Sequence, residues 1–495
     1  MELKNNLPEA PEEQYQVRVE KVEKMKAEGI DPWPPFRPTN ATSAQVHGEF
    51  SDTQESRIYE VAGRILTSRM HGKAGFVTIQ DEAGKIQLYL REDTIGEKAF
   101  SFLNNYIDLG DIIWCKGKSF RTKTGEVTIK AEEFTLLSKC LHPLPEKFHG
   151  IADKEIKYRQ RYLDLITSQE DKDRFIKRSR IVSAMRSFFN DHDFLEVETP
   201  MLHPIPGGAA AKPFMTHHNA LGMDLYLRIA PELYLKKLVV GGLPRVYEIN
   251  RNFRNEGISV RHNPEFTMVE YYIAHHDYMF MMLFTEKLLE HIARTVCGVT
   301  ELPFGDHMLN FAAPFERLTM QEAVARVVGC NVEDLEGDKI DAIVTKHNVK
   351  LEQKNPSWGY KLNILFEELV ESTLIQPTFI TQFPIEVSPL SKRNAINYDF
   401  ADRFELYVGG IELSNGFSEL NNPFDQAQRF HDQAQARAAG EDETHFYDAD
   451  YVTALEYGMP PTVGCGIGID RLTMFLTNAP SIRDVILFPT LRIKE

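Results

Sequence analysis

Between residues 58 and 137, apolar side chains come in short alternating runs, "YEVAGRIL", "GFVTIQD", "KIQLYLR", "DIIWCKGKSF" and "GEVTIKAEEF", separated by turn signals. Alternation puts every second residue on one face of a strand. About five strands in roughly 80 residues predict a small β-barrel, and the oligonucleotide-binding barrel is one such five-stranded architecture. Upstream, "QYQVRVEKVEKMKAE" reads as a charged helix with Val17, Val22 and Met25 roughly on one side, ended by Gly29 and the Pro-rich "DPWPPFRP". Downstream, "CLHPLPEKFHG" reads as a linker, and the pattern then turns to mixed α/β, with a helical run over 170–190 leading into the short strand "FLEVETPML".

The runs "PRVYEIN" and "FTMVEYYIA" flank "RNFRNEGISVRHNPEF" and predict a long antiparallel hairpin with a Gly-containing loop. On the second strand Phe266, Met268, Glu270 and Tyr272 share a face. A carboxylate in an aromatic stripe makes a poor solvent face and a good wall for a cation. The competing reading of the loop itself, Arg251 to Glu265, is a solvated tip carrying charges of both signs. The stretch from about 277 to 378 reads as mainly helical.

A chain of 495 residues, 42% hydrophobic and 26% charged, has room for two or three domains with substantial cores. We divide it into an N-terminal helix and linker (1–57), the barrel (58–140), an interdomain linker (141–169) and a larger α+β domain (170–495). The start "MELKNNLPEAPEEQ" lacks secretory and transit character, and no apolar run approaches membrane-spanning length, so a cytoplasmic protein without a membrane partner is expected. Five scattered cysteines without a CxxC pair argue against structural zinc and disulfides and read as buried thiols. The net charge of −16 disfavours broad nucleic-acid binding, yet residues 116–130 carry Lys116, Lys118, Arg121, Lys123 and Lys130 against the single acid Glu126.

Three constellations carry chemistry. In the barrel, Phe76 and Gln87 fall on neighbouring strands with Glu126 near the basic strip, a set suited to stacking an unpaired base and reading its edge; a plain core phenylalanine is the alternative. In "YDFADRFELYVGGIELSNGFSEL", Glu405 and Glu412 lie on strands joined through Gly409 and Gly410, and paired carboxylates suit Mg²⁺ held against phosphates, although they also fit a solvent face. Asn415, Phe417 and Glu419 then recur at alternate positions, aiming a second acid at a pocket. In "VGCGIGIDRLTMFL", Gly464, Gly466 and Gly468 precede a helix opening at Asp470 and Arg471; the GxGxG spacing near the C-terminus does not match a dinucleotide fingerprint, and alternating glycines let a backbone or flat ring approach closely.

These segments, with "FLEVETPML" before them, resemble the three signature motifs of class II aminoacyl-tRNA synthetases, and an N-terminal oligonucleotide-binding barrel marks the aspartate, asparagine and lysine subgroup. The wording "RNFRNEGISVRHNPEFTMVEYY", "APELYLKKLVVGG", "IPGGAAAKPF" and "ELSNGFSEL" is similar to bacterial-type lysyl-tRNA synthetases in particular. The resemblance implies an N-terminal OB-fold, a catalytic domain built on an antiparallel β-sheet flanked by helices with a helical insertion, and a homodimer. It implies ATP, L-lysine and tRNA-Lys as partners, Mg²⁺ as cofactor and no DNA. Lysine would be joined to AMP with loss of pyrophosphate and passed to the 3′-terminal adenosine of the tRNA. The roles implied are Gly208 and Glu232 near the α-amino end, Glu270, Tyr272, Asn415, Phe417 and Glu419 around the lysine side chain, and Arg254 on the α-phosphate. Glu256 would meet the adenine amino group, Phe266 and Arg471 its two faces, and Arg261 and His262 the γ-phosphate. Arg254 and Arg471 are thus the expected catalytic residues, Glu405 and Glu412 the Mg²⁺ ligands, and Phe76, Gln87 and Glu126 the anticodon contacts. The alternatives are a paralogue that lysylates a protein or makes dinucleoside polyphosphates, and a noncatalytic RNA-binding module.

Overall fold

The computed structural model describes residues 12–145, 151, 153–353, 355–438 and 446–493; the first eleven residues and part of the expected linker at 141–169 lie outside them. The chain forms two compact units, residues 1–167 with 493–495, and residues 168–492.

In the first unit β1 (Ile58–His71), β2 (Ala74–Gln80), β3 (Lys85–Arg91), β4 (Ile112–Arg121) and β5 (Val127–Ser138) close a barrel in the order β1-β2-β3-β5-β4. Alternation decides what fills it: Val77 and Ile79 of β2 and Ile86, Leu88 and Leu90 of β3 are buried in the core, leaving Phe76, Gln87 and Tyr89 half-buried on the other face. The helix Glu12–Ala27 buries Val22 and Met25 but leaves Val17 exposed, contrary to the expected face. Positions 18, 22 and 25 follow the i, i+4, i+7 stripe of a helix, so Arg18 takes the buried place. Its guanidinium is satisfied by the carbonyls of Leu109, Cys140 and His142 at 3.0, 2.9 and 3.3 Å. The cysteines also depart from expectation: all five are free, but only Cys115 and Cys465 are fully buried.

The second unit opens with the helix Gln169–Asp191 and β6 (Leu195–Glu196), followed by a small sheet of β7 (Leu202–His203), β8 (Met215–His218) and β9 (Met223–Leu227). The expected hairpin is β10 (Arg245–Phe253) and β11 (Glu265–Ala274), antiparallel throughout from Arg245↔Ile273 to Phe253↔Glu265. After the helix Tyr278–Cys297 come the hairpin β12 (Glu301–Phe304) and β13 (His307–Asn310), then β14 (Glu316–Thr319). The stretch expected to be mainly helical therefore also holds three short strands, besides the helices Met320–Val328, Ile340–Lys346 and Trp358–Leu369. β15 (Thr378–Pro384), β16 (Phe400–Val408), β17 (Ile411–Ser418) and β18 (Thr462–Gly468) complete an eight-stranded sheet in the order β14-β15-β16-β17-β18-β11-β10-β6. Its centre is antiparallel, whereas the outermost pairs β10/β6 and β14/β15 are parallel. The helices Gln169–Asp191 and Tyr278–Cys297 pack Ile181, Met185, Phe189, Met281, Leu288 and Ile292 into the core with Val269 and Tyr271, odd-numbered residues of β11. The even-numbered residues of that strand are left for the other face.

Candidate active site

That other face carries a cavity of about 530 Å³, lined among others by Glu232, Arg254, Phe266, Glu270, Tyr272, Glu412, Asn415, Phe417 and Arg471. The residues come together because β11, β17 and β18 are hydrogen-bonded neighbours. Gly464 and Gly466 of β18 stand opposite Tyr272 and Glu270, and opposite Phe417 and Asn415 on the other side. A side chain at Gly464 would put its Cβ 2.5 Å from Glu419 Oε1 and against the Tyr272 ring; one at Gly466 would meet Met268 Cε at 2.7 Å. At Gly464 the glycine makes room for the protein's own tyrosine and glutamate.

The acids cluster on one wall. Glu270 is buried and accepts the Tyr272 hydroxyl at 2.9 Å. Burial, and then the nearby Glu232, push its carboxyl up to about 8. Glu232 opens the helix Glu232–Val240, and Gly208, at φ +86, fits beside it because a Cβ there would lie 2.9 Å from Glu232 Cβ. Glu419 does not line the cavity: at 1% exposure it lies just behind Gly464, its Oε2 paired with the buried ammonium of Lys236.

The cations come from the hairpin loop and the helix Ile469–Leu476. Arg254 Cζ lies 5.1 Å from the Phe266 ring centroid, its Nε buried without a partner. Burial lowers its guanidinium, while Glu256, Glu412 and Glu270 pull the other way. Arg471 donates to Glu412, to the carbonyl at 2.5 Å and to Oε2 at 3.3 Å, and to His262 Nε2 at 3.2 Å. Burial and Arg471 hold His262 below the usual imidazole range, so its ring is neutral at pH 7. Arg261 Nη1 lies 3.9 Å from Glu371, a residue not singled out in the sequence. Glu256 lines the cavity from the exposed part of the loop.

Glu405 and Glu412 project from β16 and β17, with Glu405 opposite Asn415; a bulge between Leu406 and Tyr407 sets Tyr407 opposite Glu412 and so turns Glu412 to the face of Glu405. Glu405 is buried behind the cavity wall, taking Arg403 Nη2 and the Tyr407 hydroxyl, each at 2.5 Å. Its carboxyl is pushed up to about 7, by burial first, with Arg403 opposing and Glu412 adding to the rise. Two carboxylates that repel each other beside a cavity fit a hard cation. No group of three or more His, Cys, Asp or Glu poised for a metal occurs among the described residues; Mg²⁺ is an ion that keeps waters and takes one or two carboxylates plus phosphate oxygens.

Besides Glu371, three residues were given no role in the sequence reading. Lys236 is one, and its signal was the i, i+4 spacing from Glu232 in "ELYLK". Arg403, two positions before Glu405 on the same strand face, holds Asn415 Oδ1 at 3.1 Å and the Val387 carbonyl at 2.8 Å. Asp470 binds Arg178 at 2.6 Å and the Thr267 amide at 2.7 Å, tying the helix Gln169–Asp191 and β11 to the helix of Arg471.

On the barrel, Gln87 Nε2 donates to Glu126 at 3.0 Å, and the Phe76 ring lies 4.8 Å from Tyr89, itself 6.0 Å from Phe120. These half-buried rings lie together outside the barrel's core cluster. The basic strip is less free than it looked: Lys116 pairs with Glu133, Lys118 with Glu55 and Arg121 with Asp52, acids supplied from outside residues 116–130.

Residues 153–492 match the family described as "tRNA synthetases class II (D, K and N)", and residues 59–137 match "OB-fold nucleic acid binding domain". The chain is 53% identical over 490 residues to a "Lysine--tRNA ligase" of Citrobacter koseri, covering 97% of this chain and 96% of that protein. Proteins of the same name from Pectobacterium carotovorum and Salmonella newport are 52% identical, with the same coverage. The match over most of the chain, on a sheet whose cavity is lined by the second and third signature segments, establishes that the protein belongs to the class II tRNA synthetases of the aspartate, lysine and asparagine group.

Proposed function

We propose that the protein is a lysine–tRNA ligase: it joins L-lysine to AMP at the expense of ATP, releasing pyrophosphate, and transfers the lysyl group to the 3′-terminal adenosine of tRNA-Lys. The observation that carries the lysine assignment is the wall of Glu232 and Glu270 with Tyr272 and Phe417, backed by Glu419 behind Gly464, in the same cavity as Arg254, Arg261, His262 and Arg471. A ligand with a cationic tail needs buried acids and aromatic rings; a triphosphate needs the cations. An aspartate or asparagine site has no use for three enclosed carboxyls.

In this reading the side-chain ammonium of lysine meets Glu270, Tyr272 and Glu419, with Asn415 and Phe417 along its stem. Its α-amino group meets Glu232 and the backbone of Gly208. Arg254 holds the α-phosphate, Arg261 and His262 reach the γ-phosphate, Glu256 takes the adenine amino group, and Phe266 and Arg471 enclose the adenine ring. Glu405 and Glu412 would hold Mg²⁺, which would supply charge neutralisation at the phosphates. The lysine carboxylate attacks the α-phosphorus, the bond to the bridging oxygen breaks, and pyrophosphate leaves; a ribose hydroxyl of the tRNA then attacks the lysyl carbonyl and AMP leaves. No covalent enzyme nucleophile is needed, so Arg254 and Arg471 act by position and charge. Phe76, Gln87 and Glu126 stack and read anticodon bases.

A homodimer is part of this proposal. It is supported by Leu195 on the edge strand β6 and by Met215, Leu221 and Met223 of the β8/β9 hairpin, all left exposed. No helix among the described residues is long and apolar enough to cross a membrane, and we place the activity in the cytoplasm. The test is Glu419→Gln in ATP–pyrophosphate exchange. A large rise in the lysine KM with little change for ATP is expected, and an unchanged lysine KM removes the assignment.

A further inference from the structure

Lys236 has no part in the chemistry above, yet it is fully buried one helical turn after Glu232. Its ammonium pairs with Glu232 Oε1 and with Glu419 Oε2. The ring centroids of Phe417 and Tyr451 lie 5.3 and 5.8 Å away. An ammonium in a dry site needs a paired charge, and one carboxylate would serve. Lys236 takes two, the pair that in the proposed function receives the substrate. The second oxygen of Glu419, Oε1, accepts no hydrogen bond and faces Gly464, which lines the cavity. Lys236 thus occupies one oxygen of Glu419 and leaves the other over.

We propose that Lys236 is a specificity-determining positioning residue: its ammonium, shared between Glu232 and Glu419, keeps both carboxylates anionic and aimed at the pocket before a cationic amino acid arrives. The inference rests on the assignment of this pocket to lysine. The groups that face the pair are Glu270 and Tyr272 from β11, Tyr451 from the helix Ala449–Glu456 and, acting through charge on these acids, Arg403, Arg228 and Arg254. Burial pushes Glu232 and Glu419 up, and Lys236 is the strongest influence opposing it on each. Burial also lowers Lys236, but the two acids outweigh it and hold the ammonium well above its usual range. Without Lys236, three carboxyls share a desolvated pocket with nothing as strong to oppose their neutralisation, which weakens the attraction for a cation.

The experiment compares Lys236→Met, Lys236→Arg and Glu419→Gln with the unmodified protein in ATP–pyrophosphate exchange between pH 6.5 and 9. For Lys236→Met the lysine KM should rise about tenfold or more at pH 7, with the deficit shrinking as pH rises and the acids ionise. The ATP KM should stay within about twofold, and Lys236→Arg, which keeps the charge, should recover most of the loss. A loss that is independent of pH and equal for lysine and ATP overturns the proposal. If Lys236→Met does not fold, calorimetry on the unmodified protein in buffers of different ionisation enthalpy decides. Lysine binding at pH 7 should release about one proton at most, from Glu270, and release of about two or more contradicts a Lys236 that keeps its acids charged. A Glu419→Gln protein with unchanged lysine KM removes the pocket assignment itself. A raised KM there with a normal Lys236→Met protein removes only the role of Lys236.

Discussion

Tyr272 donates its hydroxyl to Glu270, two residues earlier on the same strand, at 2.9 Å, so the one polar group of the ring is committed to an acid that burial holds up at about 8. Because the folded value lies above the usual 4.5, the folded chain carries the extra proton between the two. The stability that the neutral carboxyl contributes is full below the lower value and is lost as pH rises through the upper one. Lysine binding runs the opposite way, since an ammonium prefers the anion. The lysine KM should fall as pH rises from 6.5 towards 8.5, and Tyr272→Phe, which removes a hydrogen bond that favours the anion, should move the midpoint to higher pH. Exchange kinetics across that range check this, and an unmoved midpoint in Tyr272→Phe contradicts it.

Gly464 has no room for a methyl group, because a Cβ would lie 2.5 Å from Glu419 Oε1 and against the Tyr272 ring. Overpacking of a tight site typically costs about 1 to 3 kcal/mol. Gly464→Ala is therefore expected to raise the lysine KM about tenfold with little effect on ATP, read by exchange alongside a thermal melt. Normal lysine affinity would show that the Glu419 pocket can yield without consequence.

The hairpin β10/β11, the barrel and the glycine strand were legible because each is a local pattern: alternation over one strand, a turn between two. The face of Phe266, Glu270 and Tyr272 followed from the same period of two. What the chain did not reveal depends on distant partners or on one residue of phase. Arg18 displaces Val17 because the helix face is rotated by one position, and carbonyls of Leu109, Cys140 and His142 satisfy it. Lys116, Lys118 and Arg121 read as a free basic strip until Glu133, Glu55 and Asp52 fold against them. Glu405 and Glu412 looked equivalent, yet Glu405 is buried against Arg403 and the Tyr407 hydroxyl while Glu412 stands on the cavity wall. Glu419 was expected in the pocket itself and lies one layer behind, a depth that alternation cannot encode.

Arg254 and Glu412 should matter to the chemistry and not to the fold. Loss of one preorganised transition-state contact is worth about 3 to 4 kcal/mol. Arg254→Ala or Glu412→Gln is expected to slow adenylate formation by orders of magnitude while the far-ultraviolet circular dichroism stays unchanged. Near-normal exchange in either folded variant would remove that residue from the phosphate and metal site.

Phe76 stands on the outer face of the barrel with Tyr89 4.8 Å away, so its truncation leaves the core intact. Phe76→Ala should weaken tRNA charging by the stacking energy of one base, about 1 to 3 kcal/mol. ATP–pyrophosphate exchange, which needs no tRNA in this mechanism, should not change. An equal loss in both assays would show that the ring serves structure rather than an anticodon base.

The central claim is that the acid wall selects lysine, and the most direct measurement is ATP–pyrophosphate exchange by the unmodified protein with each of the standard amino acids in turn. The expected result is rapid exchange with lysine and background rates with the others, aspartate and asparagine included. Exchange driven by aspartate or asparagine, or none with lysine, would contradict it.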